Sequence, residues 1–252
     1  LVQVRKGLFQ FEIGVQTTNP DSLKAIQRSA DFAKLTAVVE KLKSFRNIHL
    51  HLDLIAGLPY ENFSSFKKSF NDVYALKPDM LQLGFLKLLK GTSIRTEKAN
   101  HGYLHKELPP YEVLANKYIS FKEILRLKRM EEMLELYYNS QDFSYSLNYI
   151  LANFYPEPAE FYQELSEYWE EQGYHHQAHA KAKQYAILLD FYREKNYSLA
   201  NIFAEILKLD FLNNNKNLLP AFLPQLDIKG FKNARYNFLK DSENVAKYLP
   251  AY

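Results

Sequence analysis

The clearest pattern in this chain is the alternation of leucine with mostly polar residues in the segment HLHLDLI, residues 49–55. Successive side chains along a β-strand point to opposite faces, so this alternation predicts a strand with a leucine face and a mostly polar face. The segment AGLPYE is predicted to end the strand, because Gly57 tolerates a positive φ and Pro59 donates no backbone hydrogen bond. Apolar residues at helical spacing from Phe63 to Val73 predict a helix next.

Two other segments have the same two-faced pattern and are predicted to be strands, residues 8–15 and 80–88. Helices are predicted between the first two strands, over residues 22–28 and 34–45. Strands that alternate with helices indicate βαβ connections and therefore a parallel sheet. The predicted fold class is α/β, a partial (β/α) barrel of three parallel strands with helices, followed by an all-helical domain. An open sheet with one solvated face is the alternative that the pattern allows.

The composition changes from residue 111 onward, where aromatic residues are frequent and strand patterns are few. Helices are predicted over residues 111–138, 143–154, 159–172, 175–193 and 199–209. The tail from residue 218 to residue 252 contains three prolines and has no clear type. Glycine and proline interrupt the chain between Gly91 and Pro110, which predicts a barrel part over residues 1–105 and a helical domain over residues 106–252.

The composition is that of a globular protein, with 47% hydrophobic and 24% charged residues, which excludes a disordered chain. The net charge of +3 is small and the basic residues are interleaved with acids, so neither nucleic acid nor a membrane is expected as a partner. We expect a cytoplasmic protein, because the sequence has no membrane-spanning stretch and no signal-peptide pattern. The chain has no cysteine, which excludes disulfides, cysteine nucleophiles and thiolate-held zinc or iron–sulfur clusters within these residues.

The polar faces of the three strands predict a ligand cavity. If the sheet curves into a barrel, these faces point inward. The interior of an ordinary barrel is filled with branched aliphatic residues, so polar residues there indicate a ligand cavity. The residues on these faces are Gln10, Glu12, Gln16, His49, His51, Asp53 and Gln82. His49, His51 and Gln82 are candidates for substrate contact, although a structural role for the two histidines is equally supported.

A separate histidine pair, His175 and His179, has the i, i+4 spacing that zinc sites on helices use. No acidic helper stands at a suitable position, and many glutamates surround the pair. A solvated helix face is therefore the favoured interpretation, and no metal site is predicted within this sequence.

Three segments together resemble the last three strand segments of radical S-adenosylmethionine enzymes. They are FEIGVQTTNPDSLKAIQR, LDLIAGLPYE and QLGFLKLLKGT, at residues 11–28, 52–61 and 82–92. The likeness is closest to cobalamin-binding Fe–S oxidoreductases of the anaerobic magnesium-protoporphyrin ester cyclase-like type and to oxygen-independent coproporphyrinogen oxidase. Residues 109–140 resemble the start of an uncharacterised helical domain that follows the barrel in one subgroup.

The resemblance implies a site for the sulfonium cofactor S-adenosylmethionine. Gln16 and Arg28 match the positions that hold its ribose and amino-acid ends, and Asp53 matches a polar contact on the next strand. Ile55 matches the residue that packs on adenine. A carboxylate suits a guanidinium group and an adenine suits an apolar slot, so these residue types agree with the implied roles.

Three further positions complete the implied cofactor site. Backbone near Leu86 and Lys87 is expected to finish the adenine pocket. Glu12 is expected to be either a buried acid or a partner of Arg28 across the cleft. All these positions are expected at the carboxyl ends of the strands, where α/β folds place their ligands.

The CxxxCxxC loop of this superfamily has no counterpart in the chain. In the family, its thiolates hold a four-iron four-sulfur cluster that chelates S-adenosylmethionine. We therefore expect the chain to be the carboxyl-terminal portion of such an enzyme, with the amino-terminal half as its partner and no cofactor stably bound to this portion alone. The complete enzyme is expected to use S-adenosylmethionine, the cluster and cobalamin, and to form a deoxyadenosyl radical that abstracts hydrogen from an unidentified small molecule. Two open sheet edges predict that the isolated portion self-associates.

Two other functions are compatible with the sequence. The helical part could be an interaction module that docks a partner, attached to a non-catalytic α/β scaffold. The chain could also be a complete small α/β enzyme in which Asp53 and His51 act as acid and base.

Overall fold

The computed structural model describes residues 4–29, 31–214, 218–225 and 229–248. The first part of the chain consists of β1 Phe9–Gln16, α1 Pro20–Ala25, α2 Phe32–Ser44, β2 Ile48–Ala56, α3 Phe63–Tyr74 and β3 Met80–Phe85. A connecting segment follows, with α4 Ser93–Thr96 and the short strands β4 Leu104–His105 and β5 Val113–Ala115. The helical part consists of α5 Phe121–Met133, a π-helical turn Leu134–Asn139, α6 Ser144–Phe154, α7 Pro158–Glu171, a 3₁₀ turn Tyr174–His176, α8 Lys181–Glu194, α9 Ala200–Asn214, α10 Phe231–Lys240 and α11 Ser242–Tyr248.

β2 is the central strand of a sheet with the order β1-β2-β3, and both of its pairings are parallel. The predicted α/β organisation of three parallel strands with intervening helices is therefore confirmed. In the register, Leu52 lies beside Leu81, while Asp53 lies beside Gly14 and Gln82. The apolar residues of the strands share one face and the polar residues share the other. In the part of the chain that the structure describes, this sheet has three strands and is open, so its curvature into a barrel stays a prediction.

The leucine face of β2 is the centre of the hydrophobic core. Leu50, Leu52 and Leu54 have no exposed surface, and α3 covers the core with Phe66 and Phe70, which are one helical turn apart. Burial of each such side chain contributes about 2 kcal/mol. The amphipathic pattern of α3 therefore fixes this helix against the sheet, as its sequence predicted.

The same core continues into the helical part. The ring of Tyr162 on α7 packs edge-on against Phe70 at 5.7 Å, and its hydroxyl lies 3.2 Å from that of Tyr74. Aromatic pairs of this geometry stabilise packing beyond the area they bury. The two predicted domains, residues 1–105 and 106–252, are thus different in secondary structure but share one continuous core.

The helical part also binds the edge of β3 that faces away from β2. The side chain of Asn139 accepts a hydrogen bond from the backbone nitrogen of Leu81 at 3.0 Å and donates one to its carbonyl oxygen at 2.9 Å. Gln141 donates to the carbonyl oxygen of Asp79 at 2.9 Å. Side-chain amides therefore satisfy backbone groups that an edge strand otherwise leaves unpaired.

The long helix predicted over residues 111–138 is wrong at its start. Val113 lies in β5, which pairs with β4, and α5 begins only at Phe121. Ser120 and Glu123 form a capping box that satisfies the first backbone groups of α5. The pattern S-x-x-E marks this start in the sequence, but the apolar spacing before it obscured the boundary. The helix predicted over residues 175–193 likewise begins only at Lys181.

Two helices, α10 and α11, lie in the tail, for which no clear type is predicted. Residues 226–228 and 249–252 of that predicted tail lie outside the described residues. Within the residues that the structure does describe, no helix has the length and apolar character needed to cross a bilayer.

Replacement of Asn139 by alanine is predicted to lower the free energy of unfolding by about 2 kcal/mol, because both backbone groups of Leu81 lose their partner. Chemical denaturation measures the change. Asn153→Ala is the control, because the exposed Asn153 bonds only within its own helix. An effect of Asn139→Ala no larger than that of the control would contradict the proposed role at the strand edge.

Candidate functional site

The polar face of the sheet opens into a cleft at the carboxyl ends of the three strands. An inner cavity of about 370 Å³ is lined by Gln16, Asp53, Leu54, Ile55, Gln82, Gly84, Phe85, Leu86, Lys87 and Leu89. A middle cavity of about 300 Å³ shares Gln16, Ile55 and Leu86 with it and adds Arg28. Seven of the residues singled out from the sequence therefore line one continuous cleft.

Gln16 and Arg28 meet above the backbone of Gly14. Nη1 of Arg28 donates a hydrogen bond to the carbonyl oxygen of Gly14 at 2.9 Å. A β-bulge gives Gln16 a φ of 71°, and its amide nitrogen lies 2.2 Å from where a Cβ on Gly14 would be. A side chain at position 14 would therefore displace the Gln16 amide.

The short helix α1 positions Arg28 by binding the loop AGLPYE. Ser22 donates to the carbonyl oxygen of Pro59 at 2.6 Å, and Asn19, the N-cap of α1, donates to the carbonyl oxygen of Tyr60 at 3.0 Å. These two bonds fix α1 beside the end of β2. The chain then turns back, so that the exposed guanidinium group of Arg28 reaches over the end of β1.

His51 lies beside the carboxylate of Asp53. Nε2 of His51 is 3.5 Å from Oδ1 of Asp53, and Nδ1 of His51 is 3.9 Å from Oε1 of Glu12. Burial raises the pKa of Asp53 above its ordinary value, which His51 opposes and Glu12 reinforces. His51 is buried and is not among the residues that line the cleft, so its contact is with Asp53 and not with a ligand in the inner cavity.

Glu12 differs from both of its sequence-based expectations. Its side chain is 68% exposed, so it is not a buried acid. The side chain near it is that of His51, whereas Arg28 bonds to the backbone of Gly14. The polar strand face is open to solvent at this point, which keeps the carboxylate hydrated.

His49 lies at the opposite end of β2 from the cleft. It is six residues from Ile55, about 20 Å along an extended strand. Its side chain lines a different cavity, together with Lys43 and Arg46. A ligand in the cleft is therefore out of reach of His49, and the substrate contact proposed for His49 stays a prediction. The alternation correctly placed it on the polar face but carried no information about which end of the strand binds a ligand.

Leu86 contributes its side chain to the cleft, whereas its backbone is already engaged. Its N–H donates to the carbonyl oxygen of Ala56 at 3.0 Å, and its carbonyl accepts from the N–H of Val113 at 2.8 Å. Each of these backbone groups therefore has a partner within the protein, and the expected backbone contact to adenine near Leu86 and Lys87 stays a prediction. Lys87 is exposed at the rim of the inner cavity.

The histidine pair of the helical part has a structural role. The ring nitrogens of His175 lie 2.5 Å from a carboxylate oxygen of Glu132 and 3.1 Å from the carbonyl oxygen of Ser166. Nε2 of His179 lies 3.0 Å from the carbonyl oxygen of Tyr174. Across the described ranges, no three acidic or histidine side chains are grouped so that they could hold a metal ion.

Comparison with known protein families identifies the family of this chain. The model of a family described as "Protein of unknown function (DUF4080)" matches residues 99–252, which is more than half of the sequence. The chain belongs to the DUF4080 family. The match includes the connecting segment from residue 99, the helical part and the tail.

Two curated relatives of this DUF4080 protein are coproporphyrinogen oxidases. The oxygen-independent coproporphyrinogen III oxidase of Pseudomonas aeruginosa is 31% identical over 77 residues, and the anaerobic coproporphyrinogen III oxidase 1 of Cereibacter sphaeroides is 31% identical over 78 residues. Each alignment covers 31% of this chain and 17% of the relative, so the chain spans only a small part of their length. The resemblance to oxygen-independent coproporphyrinogen oxidase is thereby confirmed, while the cobalamin-binding subgroup stays a prediction.

A solved structure of the coproporphyrinogen III oxidase of Escherichia coli, described as a radical SAM enzyme, is also similar. It shares 20% sequence identity with this chain, and the superposition covers 51% of this chain and 27% of that one. The TM-score is 0.38, which is too low to define a shared fold.

The DUF4080 segment holds the loop that follows β2. Tyr103 and Asn116 both donate to the carbonyl oxygen of Gly57, at 3.0 and 2.9 Å. Gly57 has a φ of 91°, and a Cβ there would meet the side chain of Val113 at 3.5 Å. Sequence reasoning treated residues 91–110 as a boundary and missed these contacts. They follow no period of a helix or strand, and their acceptor is a backbone carbonyl that has no sequence signature.

Sequence reasoning also missed a buried glutamate below the loop. Oε1 of Glu61 accepts hydrogen bonds from Thr17 at 2.5 Å and from Ser69 at 3.1 Å, while its Oε2 is buried without a hydrogen-bond partner. Burial raises the pKa of Glu61 to about 7, and the two hydroxyl groups oppose this only in part. Glu61 therefore ties the ends of β1 and β2 to α3 through a network that is sensitive to pH.

Glu61→Gln is predicted to reduce the pH dependence of stability. Between about pH 4.5 and pH 7 the unfolded state releases the Glu61 proton while the folded state retains it, so stability falls as pH rises. Glutamine keeps an acceptor for both hydroxyls and does not ionise. The variant should match the wild type at pH 4.5 and exceed it at pH 8 by up to about 3 kcal/mol in denaturant titrations.

Glu171→Gln is the matched control, because Glu171 is exposed at the end of α7. Its difference from the wild type should not change between pH 4.5 and pH 8. An equal pH dependence in Glu61→Gln and the wild type would contradict the raised pKa of Glu61.

Proposed function

We propose that the cleft at the carboxyl ends of β1, β2 and β3 binds S-adenosylmethionine as part of a radical S-adenosylmethionine enzyme. The observation that carries this proposal is that Gln16, Arg28, Asp53 and Ile55 line one continuous cleft. The sequence similarity to oxygen-independent coproporphyrinogen oxidases supports the same superfamily. The two cavities together have the volume that small-molecule sites commonly have.

The chemistry of the cleft suits each end of the ligand. Arg28 uses one nitrogen for Gly14 and keeps the rest of its guanidinium fork for a carboxylate. Gln16 and Gln82 offer amide groups for ribose hydroxyls, and the side chains of Ile55 and Leu86 offer an apolar slot for adenine.

Asp53 is the second group proposed to bind the ribose. Nε2 of His51 is 3.5 Å from its Oδ1, which is buried without a hydrogen-bond partner. A carboxylate oxygen that accepts a hydrogen bond from a hydroxyl group forms a strong hydrogen bond. His51 is thus a positioning residue for Asp53 in this proposal.

The iron–sulfur cluster does not fit residues of this chain, because the sequence contains no cysteine thiolate to hold it. The proposal therefore assigns the cluster, and cobalamin if it is used, to residues other than these 252. The cleavage of S-adenosylmethionine would belong to the residues that hold the cluster, whereas the residues of this chain would bind the cofactor and orient it. The small-molecule substrate, the amino-terminal partner and the self-association of the isolated portion remain proposals of the same kind.

Arg28→Gln is predicted to weaken S-adenosylmethionine binding about 30-fold, because it removes a charge-assisted hydrogen bond worth about 2 kcal/mol. Calorimetry on the complete protein that carries this chain, prepared without oxygen, measures the dissociation constant. Arg46→Gln is the control, because Arg46 is exposed at the opposite end of the sheet. Equal affinities of the two variants would overturn the assignment of Arg28.

Gly14→Ala separates binding from stability. A Cβ at this position displaces the Gln16 amide, so affinity for S-adenosylmethionine should fall about fivefold, the equivalent of one hydrogen bond. Alanine in a strand interior is as stable as glycine or more stable by up to about 1 kcal/mol. Calorimetry should therefore show a lower affinity, while denaturant titration of the same preparation should show an unchanged or higher free energy of unfolding. A loss of stability without a loss of affinity is the result that would contradict the role of Gln16.

A further inference from the structure

The cleft continues outward into a third cavity that the proposed cofactor contacts do not use. This outer cavity has a volume of about 520 Å³ and is lined by Asp21, Lys24, Ala25, Tyr60, Glu97 and His101. Ala25, Glu97 and His101 also line the middle cavity, so the two are continuous. A second ligand in the outer cavity would therefore lie beside the cofactor.

His101 is built into the wall of this cavity. It is 92% buried, because 8% of its surface is exposed, and its Nδ1 lies 3.2 Å from the hydroxyl oxygen of Tyr118. Rings of Tyr60 and Tyr103 contact it at centroid distances of 5.6 and 5.9 Å. Nε2 makes no hydrogen bond to the described residues, although His101 lines both cavities. A buried imidazole held by one nitrogen thus leaves the other nitrogen for a ligand.

Tyr60 presents its ring to the same cavity. Its φ is 60°, an uncommon conformation for a residue with a large side chain, and Asn19 holds its carbonyl oxygen. The ring is half exposed and contacts the ring of Tyr118 at 5.0 Å. The backbone therefore keeps an aromatic ring at the cavity mouth that hydrophobic burial would otherwise draw into the core.

The charges around the cavity favour a cation. Asp21 and Glu97 contribute two carboxylates and Lys24 contributes one ammonium group, which leaves one excess negative charge. None of these three side chains forms an ion pair with a residue in the described ranges. Carboxylates attract an ammonium group, and an aromatic ring binds it through its face.

We propose that the outer cavity is a subsite for the ammonium group of a small amine-bearing ligand. Glu97 and Asp21 attract the charge, the ring of Tyr60 contacts it, and Nε2 of His101 accepts a hydrogen bond from it. The subsite goes beyond the proposed cofactor cleft, and only its role as a second-substrate site rests on that proposed function.

The probe is n-butylammonium. n-Butanol is the uncharged control and n-butyrate is the oppositely charged control, each with a four-carbon chain like that of the probe. The ring resonances of His101 are followed by NMR in the complete protein, and the His101→Gln spectrum assigns them among the seven histidines of the chain. We expect n-butylammonium to shift them with saturation and the other two compounds to leave them unchanged. A larger shift with n-butyrate, or no saturable shift with any compound, would overturn the proposal.

Variants test the individual contacts. Glu97→Gln and Tyr60→Leu should each weaken n-butylammonium binding about threefold, as expected for one partly exposed charge or one cation–π contact. Glu107→Gln is the matched control, because Glu107 is exposed in the same segment and lines none of the three cavities of the cleft. Variants that bind as tightly as this control would show that the assigned contacts are wrong.

Failure of the cofactor assignment can be told apart from failure of the subsite. The amine titration is performed first without S-adenosylmethionine and then with S-adenosylmethionine at saturation, whose own binding is measured separately. Simultaneous binding supports a second site. Displacement of n-butylammonium by S-adenosylmethionine would assign the cavity to the cofactor and overturn the separate subsite.

Discussion

The two-faced strand β2 is the constraint on which the rest of the structure depends. Its leucines, Leu50, Leu52 and Leu54, are removed from water completely, and α3 packs on the core that they begin. Because side chains alternate along a strand, burial of this face fixes Asp53 and Ile55 on the other face. The hydrophobic effect therefore sets the position of the polar groups without any specific interaction among them.

The backbone carbonyl of Gly57 is the point at which the two parts of the chain meet around the cleft. Tyr103 and Asn116, both in the segment that defines the DUF4080 family, donate to this one oxygen. The loop after β2 is thereby held by residues that lie 46 and 59 positions further along the chain. The connecting segment before α5 therefore holds this loop in place.

The polar groups of the cleft are arranged in two layers. Gln16, Arg28 and Asp53 line the cavities, while His51 and the buried Glu61 lie behind the residues that they contact. Burial of Glu61 has a desolvation cost, which is seen in its raised pKa. A rear layer of this kind restricts the movement of the groups in front, which is what a preorganised binding site requires.

The sequence by itself determined the three parallel strands, the helices between them and the face on which Asp53 and Gln82 lie, because burial acts with the fixed periods of strands and helices. Only the tertiary structure decided which end of each strand forms the site, and it placed His49 outside the cleft. It also brought in His101 and Asn116, whose partners are rings and carbonyls distant in sequence. Such contacts leave no periodic signal, since they depend on where the folded chain returns and not on local preference.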